Sequence, residues 1–254
     1  MIKENRISKY LLYAIGEIVL VVIGILIALS INNNNEDKKA RKQEVKYLKN
    51  LQTDILLELK NNDSLINYRA ITAKAAAQML SFKTLQTATD VLELEQIIQQ
   101  VFQRGNFIPT NNTFKELLSS GNLNDITNDS IKDYLLELDK MYVAIDNMEH
   151  HMYREYEEYL YNVSVVNGEM LNLLDIQKTA AIGLLTYSDS TQILVATVVP
   201  EYNRLLEKKE FINGLKLSVM NNVALKYSHY AMTDHLQKLN QLIQEDLNKE
   251  LTND

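Results

Sequence analysis

Residues 10–31, YLLYAIGEIVLVVIGILIALSI, decide how the rest of the chain is read. Only one side chain in this run is ionisable, Glu17. At about 1.5 Å per residue a helix of this length crosses a hydrocarbon layer of about 30 Å. Ala28-Leu29-Ser30 has the small-x-small form of a signal-peptide cleavage site. The apolar region of a signal peptide, however, is about 7 to 15 residues, shorter than this run. A retained transmembrane helix is therefore the expectation, after a short basic leader at residues 1–9.

Within the helix, Tyr10, Ala14, Glu17, Val21, Gly24, Ala28 and Ile31 recur at alternating spacings of four and three and share one stripe. Gly24 and Ala28 form a small-xxx-small pair that lets membrane helices approach closely, and a carboxyl at Glu17 needs a partner at that depth. Ala14, Glu17, Val21, Gly24 and Ala28 are thus expected to associate copies of the chain. A carboxyl that fixes the register of an oligomer is the plainer reading of Glu17. A small-ion pore assembled around it is the bolder one.

Charge separates the ends of the chain. The first 42 residues hold seven Lys/Arg against four Asp/Glu, and the remainder 19 against 29. A basic collar suits a lipid bilayer with anionic headgroups, and an acidic remainder argues against nucleic acid. There is no cysteine, hence no disulfide and no thiolate metal site. With 2 Pro and 7 Gly in 254 residues, long helices are the expected product. The positive-inside count does not set the topology, because Lys3, Arg6 and Lys9 precede the span and Lys38, Lys39, Arg41 and Lys42 follow it. A short leader followed by a long domain is the usual form of a signal anchor. The expectation is a single-pass protein of the inner membrane with its carboxy-terminal domain in the periplasm.

The run KYLLYAIGEIVLVVIGILIALSINNNNE at residues 9–36 resembles the amino-terminal signature of a family of uncharacterised single-pass membrane proteins of the Bacteroidota. Looser likeness covers FKELLSSGNLNDITNDSIKDYL at residues 114–135 and KEFINGL at residues 209–215. Ser30 and Asn34 stand where members of that family carry Gln and Trp. The resemblance implies an anchor and a helical domain of unknown function, with no assigned reaction.

After a polar, basic juxtamembrane segment at residues 32–43, where Asn32 to Asn35 mark an expected helix end or kink, residues 44–254 read as an elongated α-helical bundle with coiled-coil-like helices. Val45, Leu48, Leu51, Ile55, Leu59 and Ile66 define a helix reaching about Leu85, which Asn61 to Ser64 either break or decorate. Asp90 with Glu93 reads as a capping box opening a helix that ends near Gly105. GNFIPTNNT at residues 105–113 is the clearest loop, with Thr113 capping a short helix that Gly121 stops. Asp129 or Asn128 caps a helix of about 30 residues with Ile131, Leu135, Leu138, Tyr142, Ile145, Met152, Tyr156 and Tyr159 on its seam and Glu149 as the one polar intruder. Val163, Val165 and Val166 are β-favouring residues before Gly168, and a short apolar helix is expected around residues 175–185. Residues 188–199 read as helix or buried strand, and Pro200 as a boundary. After Gly214 a long helix carries Leu215, Val219, Val223, Tyr230, Leu236, Leu239, Ile243 and Leu247.

Chemistry-bearing residues are sparse. His151 and Glu155, four apart, share a helix face at a spacing that can chelate a metal, as do Asp146 and His150. Neither pair belongs to an HExxH or Glu-x-x-His set, so hydrogen-bonded surface is the preferred reading. His150, His151, Tyr153 and Tyr156 also form a candidate ligand or partner surface. With no Gly-x-Ser-x-Gly, no Cys and no Ser beside a His, no enzyme and no cofactor is expected. The sequence thus points to a membrane-anchored, oligomeric scaffold or interaction protein with an unidentified protein partner. Its alternatives are an extracytoplasmic sensor-like module whose pocket joins the GNFIPTNNT loop to the Tyr/His region, and the Glu17 pore.

Overall fold

A computed structural model describes residues 4–167, 196 and 198–251. All regular structure among the described residues is helical, and one helix dominates it. Helix α1 (Glu4–Met79) runs unbroken for 76 residues, about 114 Å at 1.5 Å per residue. It is the one described helix long and apolar enough to cross a membrane. The expected kink at Asn32 to Asn35 does not form. Asn costs a helix only a few tenths of a kcal/mol per residue, and neither Pro nor Gly interrupts the surrounding run. Asn61 to Ser64 also stay helical, because Asn62 is buried and its amide donates to the His229 carbonyl and to Thr233 Oγ1, both at 2.7 Å. The helix stops at Met79, short of the expected Leu85.

Helix α2 (Ala88–Phe102) opens on a capping box, but three residues earlier than the sequence reading. Thr87 is the N-cap, its hydroxyl taking the Asp90 amide at 3.2 Å while Asp90 accepts the Thr87 amide at 2.8 Å. Asp90 is therefore the N3 acid and not the cap. Helix α3 (Asn112–Ser120) starts after Asn111 rather than Thr113, whose amide donates to Asp54 instead. Gly121, with φ of 74°, ends it as expected, since a left-handed cap strains any residue with a Cβ. After a 3-10 turn (Asn122–Asp125), Asn128 caps helix α4 (Asp129–Glu155), accepting the Ser130 amide at 3.1 Å. A π-helical segment (Tyr156–Tyr161) carries the chain into α5 (Asn162–Asn167), so Val163, Val165 and Val166 are helical despite their β preference. The helix expected around 175–185 lies outside the described residues. Pro200 sits in the first turn of α6 (Val199–Glu207), where its missing amide costs nothing. Helix α7 (Lys209–Leu251) returns along the whole bundle.

Helices α1 and α4 run parallel, and α7 lies antiparallel to both. Arg41 meets Asp246, Gln52 meets Asn240, Asn62 meets His229 and Arg69 meets Asn222, in descending order along α7. The core has two parts. The first is built from Leu48, Leu51 and Ile55 of α1, the α4 seam from Ile131 to Ile145, and Leu225 to Ile243 of α7. The second, at the far end, packs Ala75, Ala76 and Met79 against α2, Leu160, α6 and Phe211. Small side chains at 75 and 76 let α2 approach, as the alanines of that region allow. Along its buried face α1 also carries polar groups, Glu44, Glu58, Asn62, Arg69 and Thr72. Each is bonded across to another element, which is what buried polar groups require.

Candidate functional site

The connection from α2 to α4 is held by its backbone amides. Glu149 takes the Phe107 amide at 3.0 Å, Glu58 the Thr110 amide at 2.6 Å, Asp54 the Thr113 amide at 2.8 Å and Glu44 the Thr127 amide at 2.6 Å. Carboxylates accept such bonds strongly, so the non-helical stretches of this strap, on either side of α3, are fixed by bonds to α1 and α4. Burial pushes the Glu58 carboxyl above its ordinary range, although the Thr110 bonds oppose this.

Between α1, this strap, α4 with its π-helical extension, and α7 lies a cavity of about 360 Å³. Arg69, 1% exposed, reaches into its wall from α1. Its guanidinium pairs with Glu149 and donates to the Gly105 carbonyl at 2.9 Å and to Asn222 Oδ1 at 3.4 Å. Its Nε has no hydrogen-bond partner among the described residues. Tyr68, Phe107, Met152, Tyr156 and Leu160 are among the apolar residues that line it. Two glycines set the wall. A Cβ on Gly105 would lie 2.8 Å from the Tyr68 ring, and one on Gly214 would lie 2.8 Å from Leu160 and 2.9 Å from Tyr159 Cβ. Tyr68 in turn donates to the Gln103 carbonyl at 2.5 Å. A π-helical turn adds a residue to the helix and commonly borders functional sites; here it brings Leu160 under α7 at Gly214.

At the mouth, the Arg104 guanidinium lies 3.4 Å from the Tyr153 ring centroid, and Tyr153 and Tyr156 stack with centroids 6.4 Å apart. Burial pushes the Tyr156 phenol up to about 12, so it stays a hydrogen-bond donor. The strap residue Ile108 is 78% exposed at the rim.

The residues singled out in the sequence divide on this geometry. Tyr153, Tyr156 and His150 line the cavity, together with Gly105 to Ile108 of the expected loop. His151 does not line it. It sits 3.1 Å from Glu155 as an i,i+4 pair, and the other Glu155 oxygen takes the Asn221 amide at 2.6 Å. Asp146 and His150 lie 3.4 Å apart, and no cluster of three metal-ligating side chains occurs among the described residues. The other two histidines are committed elsewhere. His235 contacts the Tyr134 carbonyl at 2.8 Å, and His229 is wholly buried with Nδ1 2.6 Å from Asn62 Oδ1. Since Asn62 Oδ1 only accepts, the His229 proton is on Nδ1. Burial, then the nearby charge of Arg69, lowers His229 to about 4. Arg69 and Asn222 were absent from the sequence reading. Their one signal is the placing of Arg69 seven residues beyond Asn62 and fourteen beyond Ile55, on the apolar seam of α1.

The stripe residues Ala14, Glu17, Val21, Gly24 and Ala28 are exposed along α1, and a Cβ on Gly24 would meet nothing within 4 Å. The fold and cavity thus define an all-α bundle built onto a helix fit to cross a membrane. The chain belongs to the family of unknown function DUF6090, whose family model matches residues 17–203. That match begins inside the apolar segment, at Glu17, takes in residues 114–135 and ends within α6. No curated protein and no solved structure matches the chain.

Proposed function

We propose that this protein is a membrane-anchored helical interaction protein, which pairs with further copies through the stripe of its span and presents the bundle to partners outside the bilayer. The observation that carries the reading is the phase of α1. At about 100° per residue, Ala14, Glu17, Val21, Gly24 and Ala28 are centred about half a turn from Leu48, Leu51, Ile55, Asn62 and Arg69, which face α4 and α7. Because the helix has no break, the stripe points away from the chain's own bundle. A carboxyl in lipid that no other described part of the chain reaches is best satisfied by a second copy. Exposed apolar residues on the bundle, Met220, Tyr227 and Tyr230 on α7, supply a face for a further protein partner. In this reading the bundle stands in the periplasm, since long domains after a span are translocated largely regardless of flanking charge.

The chain has no cysteine, so single cysteines report proximity cleanly. With oxidative cross-linking in native membranes, Val21→Cys and Ala28→Cys are expected to give disulfide dimers. Val22→Cys and Leu26→Cys, on the side of the helix that faces the bundle's core, are expected to stay monomeric. Monomers at all four positions, or equal yields at all four, would overturn the reading.

A further inference from the structure

The outer face of α1 carries a line of cations that neither the core nor the cavity uses. Lys38, Lys42, Lys46 and Lys49 follow one another at spacings of four, four and three, so they stand within about 80° of the helix surface, turned away from Leu48, Leu51 and Ile55. All four are exposed, and none forms an ion pair among the described residues. We propose that this line is the docking surface for an acidic amphipathic helix of another protein, laid along α1. The inference rests on the reading that the bundle engages a partner outside the bilayer.

Within the chain the arrangement is self-repelling. Lys38 with Lys42, Lys42 with Lys46 and Lys46 with Lys49 are like-charge neighbours on one helix, and such pairs destabilise it. No Asp or Glu lies three or four residues from any of the four, in either direction. The acids of the stretch face elsewhere: Glu44 takes the Thr127 amide, Asp54 the Thr113 amide and Glu58 the Thr110 amide. After residue 42 the chain holds 29 Asp/Glu against 19 Lys/Arg, yet places none of that excess here. The counter-charge is left to come from outside the chain.

The chain's own bilayer is out of range. Lys46 and Lys49 stand about 22 and 27 Å beyond Ile31 along the helix. Headgroups extend about 5 to 8 Å from the hydrocarbon, and charges are screened over about 8 Å. A second copy has the wrong sign. The line lies within about 45° of the span stripe on an unbroken helix, so the same face of a paired copy would set lysines against lysines. A helix has the matching geometry. The lysines rise by about 6, 6 and 4.5 Å, and acids at spacings of four, four and three on a neighbouring helix rise by the same steps. Leu56, 54% exposed, continues the line seven residues beyond Lys49. It offers such a helix an apolar contact for which a phosphate or sugar polymer has no use.

The full chain in phosphatidylcholine nanodiscs, titrated against a fluorescein-labelled helical peptide, tests this by anisotropy. The probe carries glutamates at spacings of four, four and three and a leucine seven residues beyond the last, on an alanine and glutamine background. Its shuffled isomer spreads the same glutamates around the helix. The facial peptide is expected to bind at least tenfold more tightly than the isomer. Lys42→Gln, Lys46→Gln and Lys49→Gln together are expected to abolish binding while melting no lower than the parent, since they remove like-charge neighbours. Lys83→Gln, Lys216→Gln and Lys238→Gln, an equal charge change at exposed positions elsewhere, are expected to leave affinity within twofold. Leu56→Ala is expected to weaken it severalfold. Equal affinity for the two peptides, or displacement of the facial peptide by equimolar polyphosphate, would mean a surface for any polyanion and overturns the proposal. Equal losses in the two triple variants would mean net charge alone, and no binding a solvated face only; either overturns it too. Cross-linking through the span is independent of all these outcomes.

Discussion

Arg69 on α1 and Glu149 on α4 form an ion pair 80 residues apart in sequence, almost wholly out of solvent, and Glu149 also holds the Phe107 amide. One carboxylate thus joins the two parallel helices and the strap over the cavity. A buried pair contributes little relative to an apolar pair of the same shape, but removing one partner strands the other charge. Glu149→Leu is expected to destabilise the bundle by about 3 kcal/mol. Arg69→Met combined with Glu149→Leu is expected to recover most of that loss. Urea unfolding of the single and double variants in detergent checks this. Additive losses in the double variant would show that the two side chains do not act as a pair.

His229 makes the stability depend on pH. Its folded value, about 4, lies below the ordinary 6.5, so the unfolded chain binds the extra proton first. Its contribution is therefore complete above about 6.5 and is lost as pH falls through 6.5 towards 4, about 3 kcal/mol in all. Glu58 acts in the opposite sense. Burial raises its carboxyl, so its contribution is present at low pH and lost as pH rises through the raised value. His229→Gln, which can keep the bond to Asn62, is expected to flatten the fall between pH 6.5 and 4 seen in thermal melts. An unchanged slope would exclude His229 as its source.

Gly214 tests the close crossing of α7 over the π-helical turn. In an open helix Gly→Ala stabilises by up to about 1 kcal/mol. Here the new methyl would meet Tyr159 Cβ at 2.9 Å, a backbone-anchored atom that cannot swing away. The clash outweighs the propensity gain, and Gly214→Ala is expected to cost about 1 to 3 kcal/mol. Gly16→Ala, where nothing lies within 4 Å, is the control expected to cost nothing. Circular dichroism melts of the two variants give the comparison. A stabilised Gly214→Ala would mean the crossing is looser than 2.9 Å.

The helices were legible because their signals are periodic and local. The α4 seam from Ile131 to Ile145 is buried as its spacing implies, and Gly121 stops α3. Asn128 caps α4 as one of the two residues the spacing offers, whereas the caps of α2 and α3 lie three and two residues before Asp90 and Thr113; Thr87, Asp90 and Glu93 all offer suitable oxygens, and which of them bonds depends on how the chain enters the helix. The loop and the Tyr/His cluster were each visible, but their meeting was not, since a cavity is a property of packing between α1, α4 and α7. Glu149 looked like an intruder on an apolar seam because its partner, Arg69, lies on another helix. A polar residue on one seam has meaning only against a polar residue on the facing one, and no spacing along a single helix contains that pairing.

The unbroken α1 makes the relative phase of span and bundle testable. One alanine inserted after Asn34 turns the span by about 100° relative to the bundle, whereas seven turn it by about 20° and lengthen it by about 10 Å. If dimers involve the span alone, disulfide yield at Val21→Cys survives either insertion. If exposed bundle residues such as Tyr227 and Tyr230 touch the partner copy as well, the single alanine pulls the two contact surfaces out of phase and the yield falls severalfold. The seven-residue insertion then restores most of it, because the phase is nearly recovered. Loss of cross-linking in both insertions alike would point to spacing from the membrane, not phase, as the constraint that α1 imposes.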